Sequence, residues 1–200
     1  MLDAVLLDWE CVLVSTAAAR RDALSRALAD EGATRESAAK DATVSDLVAL
    51  RASRHFAERL GKGVILEPGA REFVERIQLG SRLAVVTRAT RPETEFVLRL
   101  AGLDGAASAI VTANDDAAND FRAALDLLAK RKPLSATRSV AIVSSGSGLR
   151  QAKHAALRAI AIGMPAHAAI DADGSIDAID GMTLADLARI AGLTTAERTP

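Results

Sequence analysis

Short, predominantly apolar runs alternate with longer amphipathic stretches along most of the chain. The first run begins at Ala4 and ends at Asp8, and the others cover residues 82–86, 109–112, 139–143 and 158–162. Runs of this length and composition are typical of strands that are buried on both faces of a parallel sheet. Because helical stretches separate the later runs, the pattern predicts right-handed βαβ units and an α/β fold with a parallel sheet.

Helical spacing of apolar residues predicts the elements that connect these strands. The predicted helices cover residues 67–77, 92–100, 121–130, 149–157 and 183–190. Thr183 can cap the last of them, and Pro133 prevents continuation of the third. The dipeptide Asp173-Gly174 predicts a hairpin-type turn.

Two further helices are predicted between the first strand and the rest of the sheet. One is capped by Ser15 or Thr16 and ends near Gly32, and the next begins at Thr43 or Ser45 and ends at residue 60. Such an insert can be a helical cap that closes over a site, or a plain helical hairpin without that role. The chain pattern leaves both interpretations open.

The first strand ends in two carboxylates, Asp8 and Glu10. In open α/β sheets, ligands bind beyond the carboxyl ends of the strands, so acids at this point are candidates for a functional site. The alternative is a solvated exit from strand to loop. On the strand pattern alone the two interpretations have equal weight.

The segment VLLDWECVLVST resembles the first motif, hhhhDxDGxxxxT, of the haloacid dehalogenase-like (HAD) hydrolases. The resemblance implies a Rossmann-like HAD core formed by residues 1–14 and 62–200, with a small C1-type cap of residues 15–61, as in subfamily I. It also implies that Asp8 is the nucleophile and Glu10 the general acid/base. Glu10 replaces an aspartate of the motif, and Cys11 replaces a glycine.

The second motif of these hydrolases is a threonine or serine at the end of a strand. Thr87, which ends the segment LAVVT, matches it. The resemblance implies that the Thr87 hydroxyl and the backbone N–H groups after it bind the transferring phosphoryl group. Arg88 can add positive charge there, or can be an ordinary surface residue.

The third and fourth motifs are degenerate in this chain. No lysine stands where the family has one, and Lys132 is expected at the opposite pole of the sheet, about 16 Å along the helix from Phe121. Ser144 and Ser145 stand where an acidic pair helps to hold Mg²⁺. Asp8 and the backbone carbonyl of Glu10 would remain as metal ligands, which predicts weak or absent Mg²⁺ binding unless another acid contributes. Asp115 and Asp116 are the alternatives for that role.

Composition limits the classes of partner. Aromatic residues make up only 2% of the 200 residues and the net charge is −1, which argues against nucleic-acid and anionic-membrane partners. The single cysteine excludes an internal disulfide framework, and no apolar run is long enough to span a membrane. These features predict a cytoplasmic protein, with a protein partner or a homodimer left open.

Two functions follow from the motifs. The first is a phosphatase-type HAD hydrolase that acts on a small phosphorylated metabolite through an aspartyl-phosphate at Asp8, with impaired or lost activity. The second is a catalytically degenerate protein that keeps the fold and has a binding or interaction role. The four expected site positions at Asp8, Glu10, Thr87 and Ser144 or Ser145 should converge at one edge of the sheet under either hypothesis.

Overall fold

The computed structural model describes residues 2–10, 12–115 and 118–193. It divides into two compact units, one formed by the residues up to Val14 with those from Leu66 onwards, and the other by Ser15–Ile65. The helices are α1 (Ala17–Asp30), α2 (Arg35–Lys40), α3 (Ala42–Leu60), α4 (Ala70–Gly80), α5 (Arg91–Leu100), α6 (Asp120–Ala129), α7 (Gly146–His154) and α8 (Leu184–Ile190). Among the described residues, no helix has both the length and the apolar character that crossing a membrane requires.

The larger unit is built on a six-stranded parallel sheet. Its strands are β1 (Ala4–Asp8), β2 (Arg82–Val86), β3 (Ala109–Val111), β4 (Ser139–Val143), β5 (Arg158–Ile162) and β6 (Gly174–Ile176). The order across the sheet is β3-β2-β1-β4-β5-β6, and every pairing is parallel. The α/β class predicted from the sequence is therefore confirmed. The connections run to one side of β1 first and to the other side afterwards, so the strand order reverses next to β1, where α/β sheets bind ligands.

One face of the sheet is covered by α6, and this packing places the start of the helix. Phe121, Ala124, Leu125 and Leu128 recur at helical spacing and are buried in a core cluster with strand residues such as Val143. Each fully buried apolar side chain of this size contributes about 1.5–3 kcal/mol to folding. A helix that returns from one parallel strand to the next runs antiparallel to them, so α6 begins near the carboxyl ends of the strands.

The helix after β4 begins earlier than its apolar pattern predicts. The structure starts α7 at Gly146 rather than at residue 149, because the Ser145 side chain caps it by accepting a hydrogen bond from the Gly148 N–H at 3.2 Å. The glycine-rich segment 146–148 is therefore the first turn of a helix. This places a helix N-terminus directly after the central strand β4.

The hairpin-type turn predicted at Asp173-Gly174 is wrong. Gly174 begins β6, which runs parallel to β5, and a hairpin would have made the two antiparallel. The Asp173 carboxylate instead accepts hydrogen bonds from Lys153, Arg158 and the Ala159 N–H, at 2.7, 2.9 and 2.8 Å respectively. Asp173 thus joins α7, β5 and the start of β6 through a set of ionic contacts.

The smaller unit is helical, with α1 packed against α3. Ala23 and Ala27 on α1 and Val48, Phe56 and Leu60 on α3 are its buried apolar residues. α3 begins at Ala42, before the predicted start, because the Asp41 carboxylate caps it by accepting from the N–H groups of the next residues. The short helix α2 was not predicted, because it buries no residue and so leaves no apolar pattern.

Candidate active site

Three strand ends meet at the centre of the sheet edge. Asp8 is the last residue of β1 and pairs in register with Val86, the last residue of β2. Thr87 follows β2 and Ser144 follows β4. The structure therefore brings Asp8, Thr87 and Ser144 together at the carboxyl ends of neighbouring parallel strands, which is the arrangement the sequence motifs predict.

The Asp8 carboxylate is hydrogen-bonded to the serine of the adjacent strand end. Ser144 Oγ donates to Asp8 Oδ2 at 3.1 Å and lies 3.4 Å from the backbone carbonyl oxygen of Glu10. Burial raises the pKa of Asp8 to about 6; the hydrogen bonds from Ser144 oppose this rise, and the nearby Glu10 charge adds to it. Asp8 is therefore an acid that changes protonation state just below neutral pH.

Thr87 is buried, and its hydroxyl is turned towards the loop after β2. Its Oγ1 accepts a hydrogen bond from the Ala89 N–H at 3.0 Å. That bond uses a lone pair and leaves the hydroxyl proton for another acceptor. Thr87 can therefore donate a hydrogen bond to an anion at the sheet edge.

The first turn of α7 approaches the Asp8 carboxylate closely. A Cβ atom placed on Gly148 would lie 3.5 Å from Asp8 Oδ2 and 3.2 Å from Ser145 Oγ, so a larger residue there would crowd this turn. The N-terminus of a helix carries partial positive charge and attracts anions. Ser145 caps the turn and Ser147 lies beside it, which places two further hydroxyls at this helix end.

These groups surround a cavity of about 280 Å³. Its lining includes Asp8, Thr87 and Arg88 from the strand ends, and Ser145, Gly148 and Asp120 from the helix starts. This volume suits a small metabolite, since drug-sized ligands occupy roughly 300–1,000 Å³. Arg88 is the cation among the described lining residues. From this position it can add positive charge to the cavity.

Asp120, a residue that the motifs did not indicate, also lines this cavity. Asp120 is the first residue of α6, and its backbone N–H donates to Gln151 Oε1 at 3.2 Å. Burial raises the pKa of Asp120, while the charge of Arg88 and a side-chain hydrogen bond with Gln151 oppose that rise. Asn119 caps α6, and a capping residue of this type marks a helix start in the sequence. Only the tertiary structure shows that the side chain of Asp120 borders the cavity.

The lysine that the resemblance calls for has no replacement in the described lining of the cavity. The backbone oxygen of Lys132 accepts a 2.6 Å hydrogen bond from Arg82, the first residue of β2. Lys132 therefore lies near the amino ends of the strands, opposite Asp8, as the helix geometry predicts. Lys130 is at the C-terminal cap of α6, at that same end of the helix.

The described residues do not form an ordinary magnesium site. They include no group of three or more His, Cys, Asp or Glu side chains that could hold a metal ion. The Ser144 hydroxyl lies between the Asp8 carboxylate and the Glu10 carbonyl, the two expected ligands, and a hydroxyl is a poor anchor for Mg²⁺. The donor set present at this edge therefore does not fit the ion.

Asp115, one of the two alternative acids for the metal role, is engaged by other residues. Asp115 accepts hydrogen bonds from the Thr112 N–H and hydroxyl, at 2.6 and 2.9 Å, and from Arg91 at 3.0 Å. These contacts, first the one from the Thr112 backbone, hold the pKa of Asp115 below its usual range. Asp116 and Cys11 lie outside the described residues.

Comparisons with known proteins identify the fold. No family model matches the sequence, and a search of curated proteins finds no match. Among solved structures, CbbY from Rhodobacter sphaeroides in complex with xylulose-(1,5)bisphosphate is 24% identical, with a TM-score of 0.76 over 94% of this chain and 99% of that one. The β-phosphoglucomutase from Clostridium difficile is 10% identical, with a TM-score of 0.77 over 96% and 98%.

A third solved structure of this shape contains a metal ion. The candidate HAD-hydrolase YfnB from Bacillus subtilis, bound to magnesium, is 18% identical, with a TM-score of 0.65 over 96% of this chain and 99% of that one. The chain therefore has the haloacid dehalogenase-like fold. This confirms the fold that the sequence motifs predict.

Proposed function

We propose that this chain is an HAD-type phosphohydrolase that binds a small phosphomonoester at Asp8 and turns it over slowly. The observation that carries the proposal is the position of Asp8 at the end of the central strand, beside Thr87 and the N-terminus of α7, on a cavity of about 280 Å³. A carboxylate next to a group of hydrogen-bond donors suits attack on a bound phosphoryl group. The ligand named for the CbbY structure, xylulose-(1,5)bisphosphate, is a small phosphorylated compound, which supports the same class.

In the proposed reaction, the phosphoryl group is transferred twice. An Asp8 oxygen forms a bond to phosphorus as the ester P–O bond breaks, and Glu10 gives its proton to the leaving alkoxide. Water then attacks the aspartyl-phosphate, Glu10 takes the proton from that water, and inorganic phosphate leaves with Asp8 restored. Thr87, Arg88, Ser145 and the first N–H groups of α7 hold the phosphoryl oxygens, and Ser144 orients Asp8 through its hydrogen bond.

The charge balance of the site explains why turnover should be slow. An anionic nucleophile that approaches a phosphate is repelled by about 4 kcal/mol per pair of unit charges at 4 Å and an effective dielectric near 20. Removal of one preorganised electrostatic partner costs on the order of 10²–10³ in rate. The described site has neither a lysine nor a fitting metal site, and Arg88 offsets only part of this loss.

Binding without turnover is the second candidate function. The observation in its favour is the Ser144 hydroxyl, which bridges the Asp8 carboxylate and the Glu10 carbonyl where a metal ligand would be expected. The hydrogen bond from Ser144 occupies one oxygen of Asp8, the proposed nucleophile, and forms without a cation. In this case the chain would be a degenerate HAD protein that recognises a phosphorylated metabolite or a protein partner.

The helical unit Ser15–Ile65 is proposed to act as a cap in either case. It is inserted after Val14 and ends before Leu66, and these two residues pair as an isolated bridge within the larger unit. A ligand that the cap covers should slow amide hydrogen exchange within Ser15–Ile65. Unchanged exchange in this unit with a saturating ligand would contradict the cap role.

One experiment separates the two functions. The chain, its Asp8→Asn variant and a control Asp126→Asn variant are tested with Mg²⁺ against a panel of small phosphomonoesters, with phosphate release as the readout. Asp126 is exposed on α6, away from the cavity, so its variant controls for loss of a carboxylate. Release that Asp8→Asn abolishes supports hydrolysis, whereas calorimetric binding of phosphate without release supports the binding function. Neither release nor binding would contradict both.

A further inference from the structure

The cavity at the sheet edge contains a carboxylate that the fold does not need for capping. Asn119 already caps α6, since its Oδ1 accepts from the Arg122 N–H at 3.0 Å and its side-chain amide donates to the Gln151 carbonyl at 2.9 Å. Asp120, one residue further on, lines the cavity instead. Among the described residues, no cation lies within ion-pair distance of Asp120. Apart from a side-chain hydrogen bond with Gln151 and the charge of Arg88, the carboxylate has no ionic partner among these residues and can bind a ligand.

The charges that line the cavity disfavour a ligand that is only anionic. The described lining carries one cation, Arg88, and two carboxylates, Asp8 and Asp120. A phosphomonoester brings about 1.5–2 negative charges at neutral pH. Arg88 and the N-terminus of α7 can balance the phosphoryl group, but Asp120 would then face a ligand of the same sign.

We infer that the cavity selects phosphomonoesters that carry a primary amine near the ester oxygen, with Asp120 as the residue that determines this specificity. The phosphoryl group lies against Thr87 and the N-terminus of α7, and the ligand ammonium binds Asp120 and the side-chain oxygen of Gln151. The inference rests on the proposed function, because it assumes that the phosphoryl group binds at Asp8. The ammonium supplies positive charge in a cavity whose described lining contains no lysine.

The burial and the surroundings of Asp120 agree with this assignment. Asp120 is half-buried, and a carboxylate in such a position gains more from a bound cation than an exposed one does, because less water competes. The Gln151 side chain on α7 accepts from the Asp120 N–H and so places an amide oxygen next to the same carboxylate. The half-buried Asp120 carboxylate therefore favours a cationic donor from the ligand, which an alkyl group cannot supply.

The test compares two ligands that differ only in the amine. Phosphoethanolamine and propyl phosphate have the same number of heavy atoms, and only the first carries an ammonium group at pH 7.5. Their binding is measured by calorimetry without Mg²⁺ on the unmodified chain, on Asp120→Asn and on the control Asp126→Asn. We expect phosphoethanolamine to bind the unmodified chain and the control roughly tenfold more tightly, as one charge-assisted hydrogen bond would give.

In Asp120→Asn this preference should disappear, and propyl phosphate should bind more tightly than it does to the unmodified chain because a repulsive charge is gone. Asp120→Ser is a second neutral variant, and serine is well tolerated at a helix start, so poor folding of one variant leaves the test intact. Equal binding of both ligands to the unmodified chain overturns the inference and leaves the proposed function standing. So does a preference that both Asp120 variants retain. If neither ligand nor inorganic phosphate binds, the proposed function itself fails.

Discussion

The Ser144 hydroxyl joins the two central strands of the sheet by donating to the Asp8 carboxylate at 3.1 Å. Asp8 ends β1 and Ser144 follows β4, so this hydrogen bond links the carboxyl ends of the two strands at the point where the strand order reverses. It also acts on the chemistry of Asp8, because a hydrogen bond to a carboxylate favours its ionised form.

Loss of the Ser144 hydroxyl should make Asp8 harder to ionise. In Ser144→Ala the side-chain hydrogen bond, which together with one from the Ser144 backbone opposes the effect of burial, is gone, so we expect the pKa of Asp8 to rise above its value of about 6. The measurement is a pH titration of the Asp8 carboxyl carbon by NMR. Ser147→Ala is the matched control on the next turn, because Ser147 contacts Ser145 rather than Asp8. A pKa that falls or stays unchanged in Ser144→Ala would contradict the hydrogen bond.

Asp8→Asn should stabilise the fold at neutral and higher pH. The pKa of Asp8 is higher in the folded chain than in the unfolded one, so the native state binds more protons and its stability falls as the pH rises from about 4 to about 6. Asparagine has no charge to bury, and the gain above pH 7 should be about 2–3 kcal/mol. Chemical unfolding at pH 8 and pH 5 measures it. The gain should shrink at pH 5, and a gain that grows as the pH falls would refute the raised pKa.

Magnesium should bind weakly or not at all to the unmodified chain. We expect calorimetry to detect no binding tighter than about 1 mM, because too few carboxylate oxygens converge at Asp8. The double variant Glu10→Asp, Ser144→Asp places a second carboxylate beside Asp8 and should gain measurable affinity. Micromolar affinity in the unmodified chain would show that an acid outside the described contacts completes the site.

Asp173→Ala should destabilise the larger unit by about 2 kcal/mol, since it removes the acceptor of three hydrogen bonds, two of them from cations. Burial alone would raise the pKa of Asp173, but its hydrogen bonds from Lys153, Ala159 and Arg158 hold it below the usual range. The effect should therefore fade as acid protonates the carboxyl. Asp177→Ala, an exposed neighbour, is the control, and an equal loss of unfolding free energy in both variants would count against this role.

The sequence alone predicted the bounds of the strands that are almost completely buried. The predicted bounds of β2, β4 and β5 agree with the structure, because apolar runs without alternation have few other stable environments than the interior of a parallel sheet. β6 was not predicted, since Gly174–Ile176 is short and lies at the sheet edge with no apolar run. Its parallel direction depends on pairing with β5, which no local signal at Asp173-Gly174 reveals.

The candidate site was predictable only as far as its residues follow strands. Asp8, Thr87 and Ser144 each stand at a strand end, so a correct sheet places them together. Asp120 stands at a helix start, where an acid is ordinary in any protein because it favours the helix dipole. Its position on the cavity depends on how α6 packs against the sheet, which is information that the local sequence does not contain.

The central position of β1 has a consequence for how the chain acquires its site. Ala4 pairs with Arg82 on one side and with Ser139 on the other, so both neighbours of β1 are distant in the sequence. Long-range pairings of this kind form late, because closure of a long loop must precede them. The cavity should therefore be absent from partly folded states. Trp9, the single tryptophan, follows Asp8 and is fully buried, so its fluorescence should report the moment at which β1 inserts and the chain becomes able to bind a ligand.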